Sequence, residues 1–180
     1  MRTFVSVPLD ELSDAIADAQ APLDMSGVDT TDPEQAHATL KFLGETATPD
    51  AVVEAIERAV ATSETQPFDC RIAGYGVFPS IDYISIIWAG VTDGADELTR
   101  LHEHVERETT RLGFDPDEHS FTPHATLARM RDARSKSVIQ EVVTERDPDI
   151  GTVHVDSVEL TRSTLTDDGP EYEAVAEIPL

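Results

Sequence analysis

The sequence predicts an α+β fold. Short runs that alternate apolar and polar residues, as half-buried strands do, are interleaved with segments whose apolar residues recur at helical spacing. No Gly/Ser-rich or Pro-rich linker separates these segments, so we expect residues 1–180 to form a single domain. The tetrapeptide His-Ala-Thr-Leu occurs at residues 37–40 and again at 124–127, once in each half of the chain. Each copy lies inside a predicted strand.

The individual elements follow from periodicity and from capping and turn residues. We expect strands at 3–8, 36–42, 68–77, 83–91, 121–128, 153–165 and 172–178. We expect helices after Asp10, after Thr48-Pro49, from Leu98 to Leu112, and over 133–145. Thr48 can cap the second helix, Pro49 suits its first turn, and Gly113 supplies a stop for the third. Residues 78–82 predict a hairpin connection and residues 167–170 a turn.

Charge is the most unusual feature of the composition. The chain has 36 acidic and 13 basic residues, a formal net charge of −23, only two lysines and no asparagine. Such a field repels nucleic acid until salt screens it. The composition resembles that of proteins from salt-accumulating halophiles, because molar salt shortens the Debye length to about 3 Å and removes most self-repulsion. The alternative is a merely acidic mesophilic protein.

Several classes of protein are excluded by composition. Hydrophobic residues make up 39% of the chain and no low-complexity tract is present, which excludes a disordered or fibrous protein. The longest apolar run, Ile84 to Val91, is too short to cross a bilayer, and no signal peptide is visible. A single cysteine, Cys70, can form neither an internal disulfide nor a Cys-based zinc site. We therefore expect a cytoplasmic protein without membrane contact. We also expect a monomer with no obligatory protein partner.

The repeated His-x-Thr pattern predicts a pair of reactive strand faces. In a strand, residues i and i+2 lie on the same face, so His37 with Thr39, and His124 with Thr126, each present an imidazole beside a hydroxyl. The alternate Ala and Leu residues face the opposite way, into apolar packing. Two histidines near neutral pH can supply one neutral and one protonated imidazole, which suits general acid–base catalysis.

A family resemblance is carried by the two segments around these motifs. The segments 37–45 (HATLKFLGE) and 121–129 (FTPHATLAR) resemble the two signature segments of the 2H phosphoesterase superfamily, in its 2′-5′ RNA ligase or RNA 2′,3′-cyclic phosphodiesterase branch. Further similar stretches occur in the expected order, at 4–9, 67–79, 88–91, 112–114, 160–165 and 169–172. The resemblance implies a bilobal fold of two antiparallel sheets with outer helices, related by a pseudo-twofold axis, with one motif strand from each lobe facing a central cleft.

The resemblance also implies a reaction. The substrate is RNA ending in a 2′,3′-cyclic phosphate, with His37 as the proton donor to the leaving ribose 3′-oxygen and His124 as the proton acceptor that activates water. The product is a 2′-phosphate end. By symmetry alone, these two roles are interchangeable. Thr39 and Thr126 can donate to the non-bridging phosphate oxygens. We expect no metal and no cofactor, and any 2′-5′ ligation is ATP-independent because no nucleotide-binding loop is present.

Four further residues are candidates for substrate binding. Lys41 shares strand parity with His37 and is expected to add positive charge at the cleft. Arg129 matches a basic position of the family, but it lies on the opposite parity from His124 and reaches the site only if the strand has bent or ended; otherwise it forms a surface ion pair. Phe42 and Phe121 are candidates to stack on a base, with core packing as the alternative.

Other functional interpretations remain open. His102 and His104 diverge on a helix, and His119 and His154 have no ligand-spaced partner, so a metal site is not indicated. The same two histidines also suit a phosphodiesterase for a small cyclic phosphate such as ADP-ribose 1″,2″-cyclic phosphate. A non-catalytic nucleotide-binding module is the third hypothesis, and the intact His and Thr residues of both motifs argue against it.

Overall fold

Strands and helices alternate along the chain in the computed structural model, which describes residues 1–180. The nine strands are Arg2–Pro8 (β1), Val28–Thr30 (β2), His37–Glu45 (β3), Phe68–Pro79 (β4), Ile84–Val91 (β5), His124–Met130 (β6), Asp149–Val155 (β7), Ser157–Thr166 (β8) and Gly169–Pro179 (β9). The four α-helices are Ser13–Gln20 (α1), Pro49–Ser63 (α2), Ala95–Arg111 (α3) and Lys136–Glu145 (α4). The predicted α+β class is confirmed.

The strands pair in the order β7-β4-β5-β6-β3-β1-β8-β9, and every pair is antiparallel. The two central strands, β6 and β3, are joined through one residue pair, Ala38 and Ala125. Beyond this pair they diverge, and the short strand β2 pairs with β6 in place of β3. The two predicted sheets are thus two halves of one sheet. We call β3, β1, β8 and β9 the His37 half, and β6, β5, β4 and β7 the His124 half.

Each half of the sheet is covered by two helices on its outer face. Helices α2 and α3 pack against each other and against β9 and β3, while α1 and α4 cover strands of the His124 half. The buried faces of the helices carry fully buried apolar side chains, among them Ile16, Ile56, Leu101 and Ile139. Burial of such side chains contributes about 1.5–3 kcal/mol each and holds the helices on the sheet. The opposite face of the sheet stays open near the two motif strands.

Most element boundaries differ from the predicted ones by up to three residues, and three features differ in kind. Strand β2 was not predicted because it has only three residues, of which two are exposed. The strand expected at 153–165 is two strands, β7 and β8, which lie in different halves and are separated by Asp156. The apolar residues change parity here, from Val153 and Val155 to Val158 and Leu160, so the break falls where the apolar pattern shifts by one residue. Thr48 precedes α2 as predicted, but its side chain makes no capping hydrogen bond.

No helix of the structure has both the length and the apolar content that a membrane-spanning segment requires.

Candidate active site

The pairing of β3 with β6 sets the two motifs side by side. Ala38 and Ala125 are partners in the sheet and both are buried on its helix-covered face. Because neighbours along a strand point to opposite faces, both His-x-Thr pairs lie on the open face. Antiparallel register sets His37 across from Thr126, and Thr39 across from His124. We call the open region between these four side chains the cleft.

A β-bulge follows the motif in each strand. Between β1 and β3 the register shifts at Leu40, and between β5 and β6 it shifts at Leu127. In each strand the bulge leaves two successive residues buried, Leu40 with Lys41 and Leu127 with Ala128. A bulge reverses the facing of every residue after it. The next residues to face the cleft are therefore Phe42 and Arg129, not Lys41 and Ala128.

The prediction that Lys41 lines the cleft is wrong, because the bulge turns its side chain to the helix side. Lys41 is 2% exposed. Its Nζ donates to the Glu106 carboxylate of α3 at 2.5 Å and to the Asp115 carbonyl at 3.0 Å. The other Glu106 oxygen accepts from the backbone N–H of Asp117 at 2.8 Å. Lys41 thus ties strand β3 to α3 and to the loop that leads towards β6.

Arg129 lies on the cleft side of β6, directly after the bulge. The bulge at Leu127 supplies the bend that its predicted role required. Its side chain is exposed and forms no salt bridge, in a chain where carboxylates outnumber cations. Its positive charge contributes to lowering the pKa of both His37 and His124. Arg129 is therefore a free cation within electrostatic reach of both imidazoles.

The two candidate stacking residues have different positions. Phe42 occupies the register position in β3 that Arg129 occupies in β6, and it is 68% exposed. Its ring lies 6.0 Å from that of Phe4. Phe121 instead stacks on His102 of α3 with ring centroids 4.2 Å apart, and it packs against the hydrophobic core. The placement of Phe121 corrects its predicted role in substrate contact, because the stack fixes its ring on the helix side.

Backbone carbonyls fix the tautomer of both histidines in the same way. Nδ1 of His37 lies 2.8 Å from the Gln35 carbonyl oxygen, and Nδ1 of His124 lies 2.6 Å from that of Thr122. A carbonyl oxygen only accepts, so each Nδ1 carries a hydrogen and donates it. This leaves Nε2 of each ring as the nitrogen that exchanges protons. The two imidazoles therefore have equivalent anchors, each two residues before the histidine.

The pKa of each imidazole is lowered from its usual value of about 6.5. For both residues the main cause is burial, which disfavours the charged ring and outweighs the carbonyl hydrogen bond that favours it. Arg129 lowers both pKa values further, and the charge of His124 lowers that of His37. Each proton therefore leaves more easily than from a free histidine. A bound phosphodiester, which is an anion, opposes this effect.

Aromatic rings that the sequence analysis did not single out surround both histidines. Phe4 stacks on His37 at 4.8 Å and Tyr172 meets it edge-on at 5.2 Å. In the other half, the rings of Phe78 and Trp88 lie 5.0 and 5.7 Å from His124. These residues come from strands far from the motifs in sequence, so only the sheet order identifies them. They shield the imidazoles from water, which agrees with the lowered pKa values.

The two halves differ in the residue beside the motif threonine. Ser6 of β1 pairs with Thr39, and Trp88 of β5 pairs with Thr126. The indole of Trp88 lies flat over Gly76, so closely that no side chain fits there. In the His37 half the small residues Ser6 and Thr161 leave a cavity of about 220 Å³ beside His37. The cleft is thus filled by Trp88 on the His124 side and open beside Ser6 on the His37 side.

Comparison with known protein sequences assigns this chain to a family. The sequence profile described as the 2′-5′ RNA ligase superfamily matches residues 8–167. The chain belongs to this superfamily. It is 36% identical to the RNA 2′,3′-cyclic phosphodiesterase of Aeropyrum pernix over 94% of this chain and 93% of that protein. It is 33% identical to the RNA 2′,3′-cyclic phosphodiesterase of Methanothermobacter thermautotrophicus, over 96% and 95% of the two chains.

Two solved structures have a fold similar to that of this chain. A crystal structure of a Thermus thermophilus protein superposes with a TM-score of 0.82 at 27% identity, over 100% of this chain and 98% of that one. E. coli LigT complexed with 3′-AMP superposes with a TM-score of 0.79 at 20% identity, over 99% and 97% of the two chains. At that identity, the second comparison shows the fold alone. The predicted 2H phosphoesterase fold is confirmed, with its two antiparallel sheets joined into one.

Proposed function

We propose that this protein hydrolyses RNA 2′,3′-cyclic phosphate ends to 2′-phosphomonoesters. The observation that carries the proposal is the pair of His-x-Thr faces across the cleft, each with its imidazole held in the same tautomer by a carbonyl. The two curated relatives described above are named for this activity. A cyclic phosphodiester needs a proton donor and a proton acceptor on opposite sides of phosphorus, and the two imidazoles on the open face of the sheet can supply them.

The reaction is an in-line displacement. Nε2 of His124 takes a proton from water as the water oxygen bonds to phosphorus. The bond from phosphorus to the ribose 3′-oxygen breaks, and Nε2 of His37 gives its proton to that oxygen. Thr39 and Thr126 donate hydrogen bonds to the non-bridging oxygens, where negative charge builds. The product carries its phosphate on the 2′-oxygen.

The surroundings of the histidines support this division of roles. The leaving oxygen belongs to the ribose, so the nucleoside must lie on the side of the proton donor. The cavity beside His37 offers space for it, whereas Trp88 fills the corresponding position near Thr126. Water needs far less room than a nucleoside. We therefore assign His37 as the acid and His124 as the base.

Two further residues belong to substrate binding in this proposal. Arg129, as a free cation near both imidazoles, neutralises the phosphate. Phe42 presents an exposed ring at the equivalent position in β3, where an RNA base can stack on it. The same mechanism with the 5′-hydroxyl of a second RNA in place of water joins two strands through a 2′-5′ linkage without ATP. We propose this ligation as a secondary activity.

We also propose that residues 1–180 form one bilobal domain and that the protein acts as a monomer. One chain supplies both His-x-Thr pairs, so the cleft is complete without a partner. The net charge of −23, with two lysines, supports function in molar salt, where screening suppresses self-repulsion. If so, the fold should persist in molar KCl and weaken as KCl is removed, which circular dichroism can follow.

The test is incubation of the purified protein in molar KCl, with EDTA and without ATP, with an oligonucleotide that ends in 2′,3′-cyclic phosphate. We expect an oligonucleotide with a terminal 2′-phosphate, identified by mass and by its resistance to 3′-phosphatase. Turnover of ADP-ribose 1″,2″-cyclic phosphate but not of the oligonucleotide would show that the substrate is a small cyclic phosphate and not RNA. Binding without turnover of either compound would indicate a nucleotide-binding module.

A further inference from the structure

The cavity beside His37 is bounded by the four strands of the His37 half, by Asp10 and by residues 34–36. Its floor is formed by small residues of the sheet, Ser6 and Thr161, whose hydroxyls lie 3.3 Å apart. Its aromatic walls are Phe4 and Tyr172, with ring centroids 5.1 Å apart in an edge-on arrangement. Asp10, Glu34 and Gln35 also line the cavity, so aromatic walls are combined with polar and acidic groups. This combination suits a planar heteroaromatic ring that carries N–H donors.

The carboxylate of Glu159 lines this cavity without a partner in the protein. Glu159 pairs with Ser6 between β8 and β1, so its side chain lies on the same face as the cavity floor. It is half-buried and takes part in no side-chain hydrogen bond and no salt bridge. Burial, then the nearby Glu177 and Asp10 carboxylates, raise its pKa. The raised pKa means that the ionised carboxylate is disfavoured. A hydrogen bond from a neutral N–H donor would stabilise the ionised carboxylate without bringing a second charge into the cavity.

The walls of the cavity are held in place independently of a ligand. Gln35, whose carbonyl anchors His37, also accepts a hydrogen bond from the backbone N–H of Tyr172 at 2.8 Å through its side-chain oxygen. The imidazole and the Tyr172 ring are thus positioned by one residue. Glu159 is held by the sheet, where it pairs with Ser6 on one side and with Glu177 on the other. The acceptor, the ring wall and the proton donor form one preorganised unit.

We propose that this cavity is the subsite for the base of the nucleoside that carries the cyclic phosphate, and that Glu159 selects guanine. This inference rests on the proposed function. Guanine presents two parallel N–H groups on one edge, from N1 and N2, and a carboxylate accepts both at once. Adenine and cytosine offer one amino group and uracil a single ring N–H, so each leaves a Glu159 oxygen without a donor. The enzyme therefore prefers RNA whose last nucleotide is guanosine.

The test uses four oligonucleotides that end in 2′,3′-cyclic phosphate and differ only in the last base. We expect kcat/KM to be highest for guanine. Glu159→Gln keeps the size of the side chain but leaves one acceptor and adds a donor. It should therefore reduce the advantage of guanine by about tenfold. Glu177→Gln is the matched control, since it removes the neighbouring charge from a residue outside the cavity and should leave the order of the bases unchanged.

A second variant tests the space itself. Ala174 lines the cavity from the outer strand β9 and is exposed, so Ala174→Leu narrows the cavity without disturbing the core. It should raise KM for all four substrates by about tenfold and change kcat less, because it obstructs binding rather than proton transfer. An unchanged KM in Ala174→Leu, or an unchanged base preference in Glu159→Gln, would overturn the assignment of the subsite.

Direct binding separates this inference from the proposed function. Calorimetry with the four nucleoside 2′-monophosphates measures base preference without turnover. Preference for guanosine 2′-monophosphate that Glu159→Gln removes would support the subsite even if no oligonucleotide were hydrolysed. Hydrolysis of all four oligonucleotides with equal kcat/KM, and equal affinity for the four monophosphates, would overturn the subsite and leave the proposed function in place.

Discussion

The position beside the motif threonine is Ser6 in the His37 half of the cleft and Trp88 in the His124 half. Around this difference, the reactive parts of the two halves are alike: the same tetrapeptide, the same carbonyl anchor for Nδ1, and a bulge one residue after the threonine. Acid and base catalysis need similar groups, and the two halves have these groups in common. Binding an asymmetric substrate needs different surroundings, and these are the parts that differ.

The bulges produce a second difference of the same kind. They bring Phe42 to the cleft in one half and Arg129 in the other, while Lys41 and Ala128 are turned to the helix side. One half thus presents an aromatic ring and the other a positive charge. Arg129 matches the anionic phosphate, and Phe42 matches a second RNA base, because the base of the last nucleotide is assigned to the cavity beside His37.

The largest expected effect comes from the groups that the halves share. His37→Ala and His124→Ala should each reduce kcat/KM for a cyclic phosphate end by at least roughly a hundredfold, because each removes one of the two proton-transfer groups. Rates are measured by separating the cyclic and opened oligonucleotides. Circular dichroism of each variant in molar KCl checks that the fold is intact. A loss in only one variant would break the equivalence of the two motifs.

A smaller effect is expected at the register-equivalent pair of Arg129 and Phe42. Arg129→Met should lower kcat/KM by about thirtyfold, since it removes a charge-assisted contact to the phosphate. It should also move the pH profile of kcat/KM upward, because the positive charge lowers the pKa of both histidines. Phe42→Met, the same change at the equivalent position, should cost less and leave the profile in place. Equal pH shifts in the two variants would contradict the assigned positions.

The motif threonines should show a still smaller effect. Thr39→Val and Thr126→Val keep the side-chain shape and remove only the hydroxyl, so each should lower kcat by up to about tenfold. KM should change little if the hydroxyls act mainly as charge develops in the transition state. A change confined to KM in both variants would instead show that they bind the ground state.

The smallest kinetic effect is expected at Lys41, which the sheet directs away from the cleft. Lys41→Met removes a buried ammonium from Glu106 and from the Asp115 carbonyl, and should destabilise the protein by about 2 kcal/mol. Activity below the unfolding transition should stay within about threefold of the original. Chemical denaturation at fixed KCl measures the first effect. A large loss of activity in a stable Lys41→Met protein would contradict this structural role and would indicate that Lys41 acts at the cleft.

The fate of Lys41 and Arg129 shows how far the sequence could predict the site. Strand alternation correctly places His37, Thr39, His124 and Thr126 on one face, because it holds up to the bulges. The bulges themselves have no sequence signature here: Leu40 and Leu127 are ordinary apolar strand residues, and the extra residue is visible only against the neighbouring strand. Strand alternation therefore predicts the wrong face for Lys41. It places Arg129 at the cleft only on the condition that the strand bends or ends before it.

Pairing between distant strands also determines the other features that the sequence did not predict. The α+β class and most elements follow from local periodicity, which each segment carries in itself. Tyr172, Trp88 and Glu159 belong to the site only through the order of strands in the sheet, which is set by pairing between distant segments. The division of the expected strand at Asp156 is also a tertiary effect, because β7 and β8 pair with different halves.

The central claim is that two equivalent imidazoles act as acid and base from opposite sides of one phosphate. The pH dependence of kcat/KM in the original protein and in the two alanine variants tests it most directly. Because both pKa values are lowered, the profile should be bell-shaped with its maximum on the acid side of about pH 6.5. His37→Ala should lose the fall at high pH, and His124→Ala the rise from low pH. Loss of the same limb in both variants, or a profile without limbs in the original protein, would contradict the account.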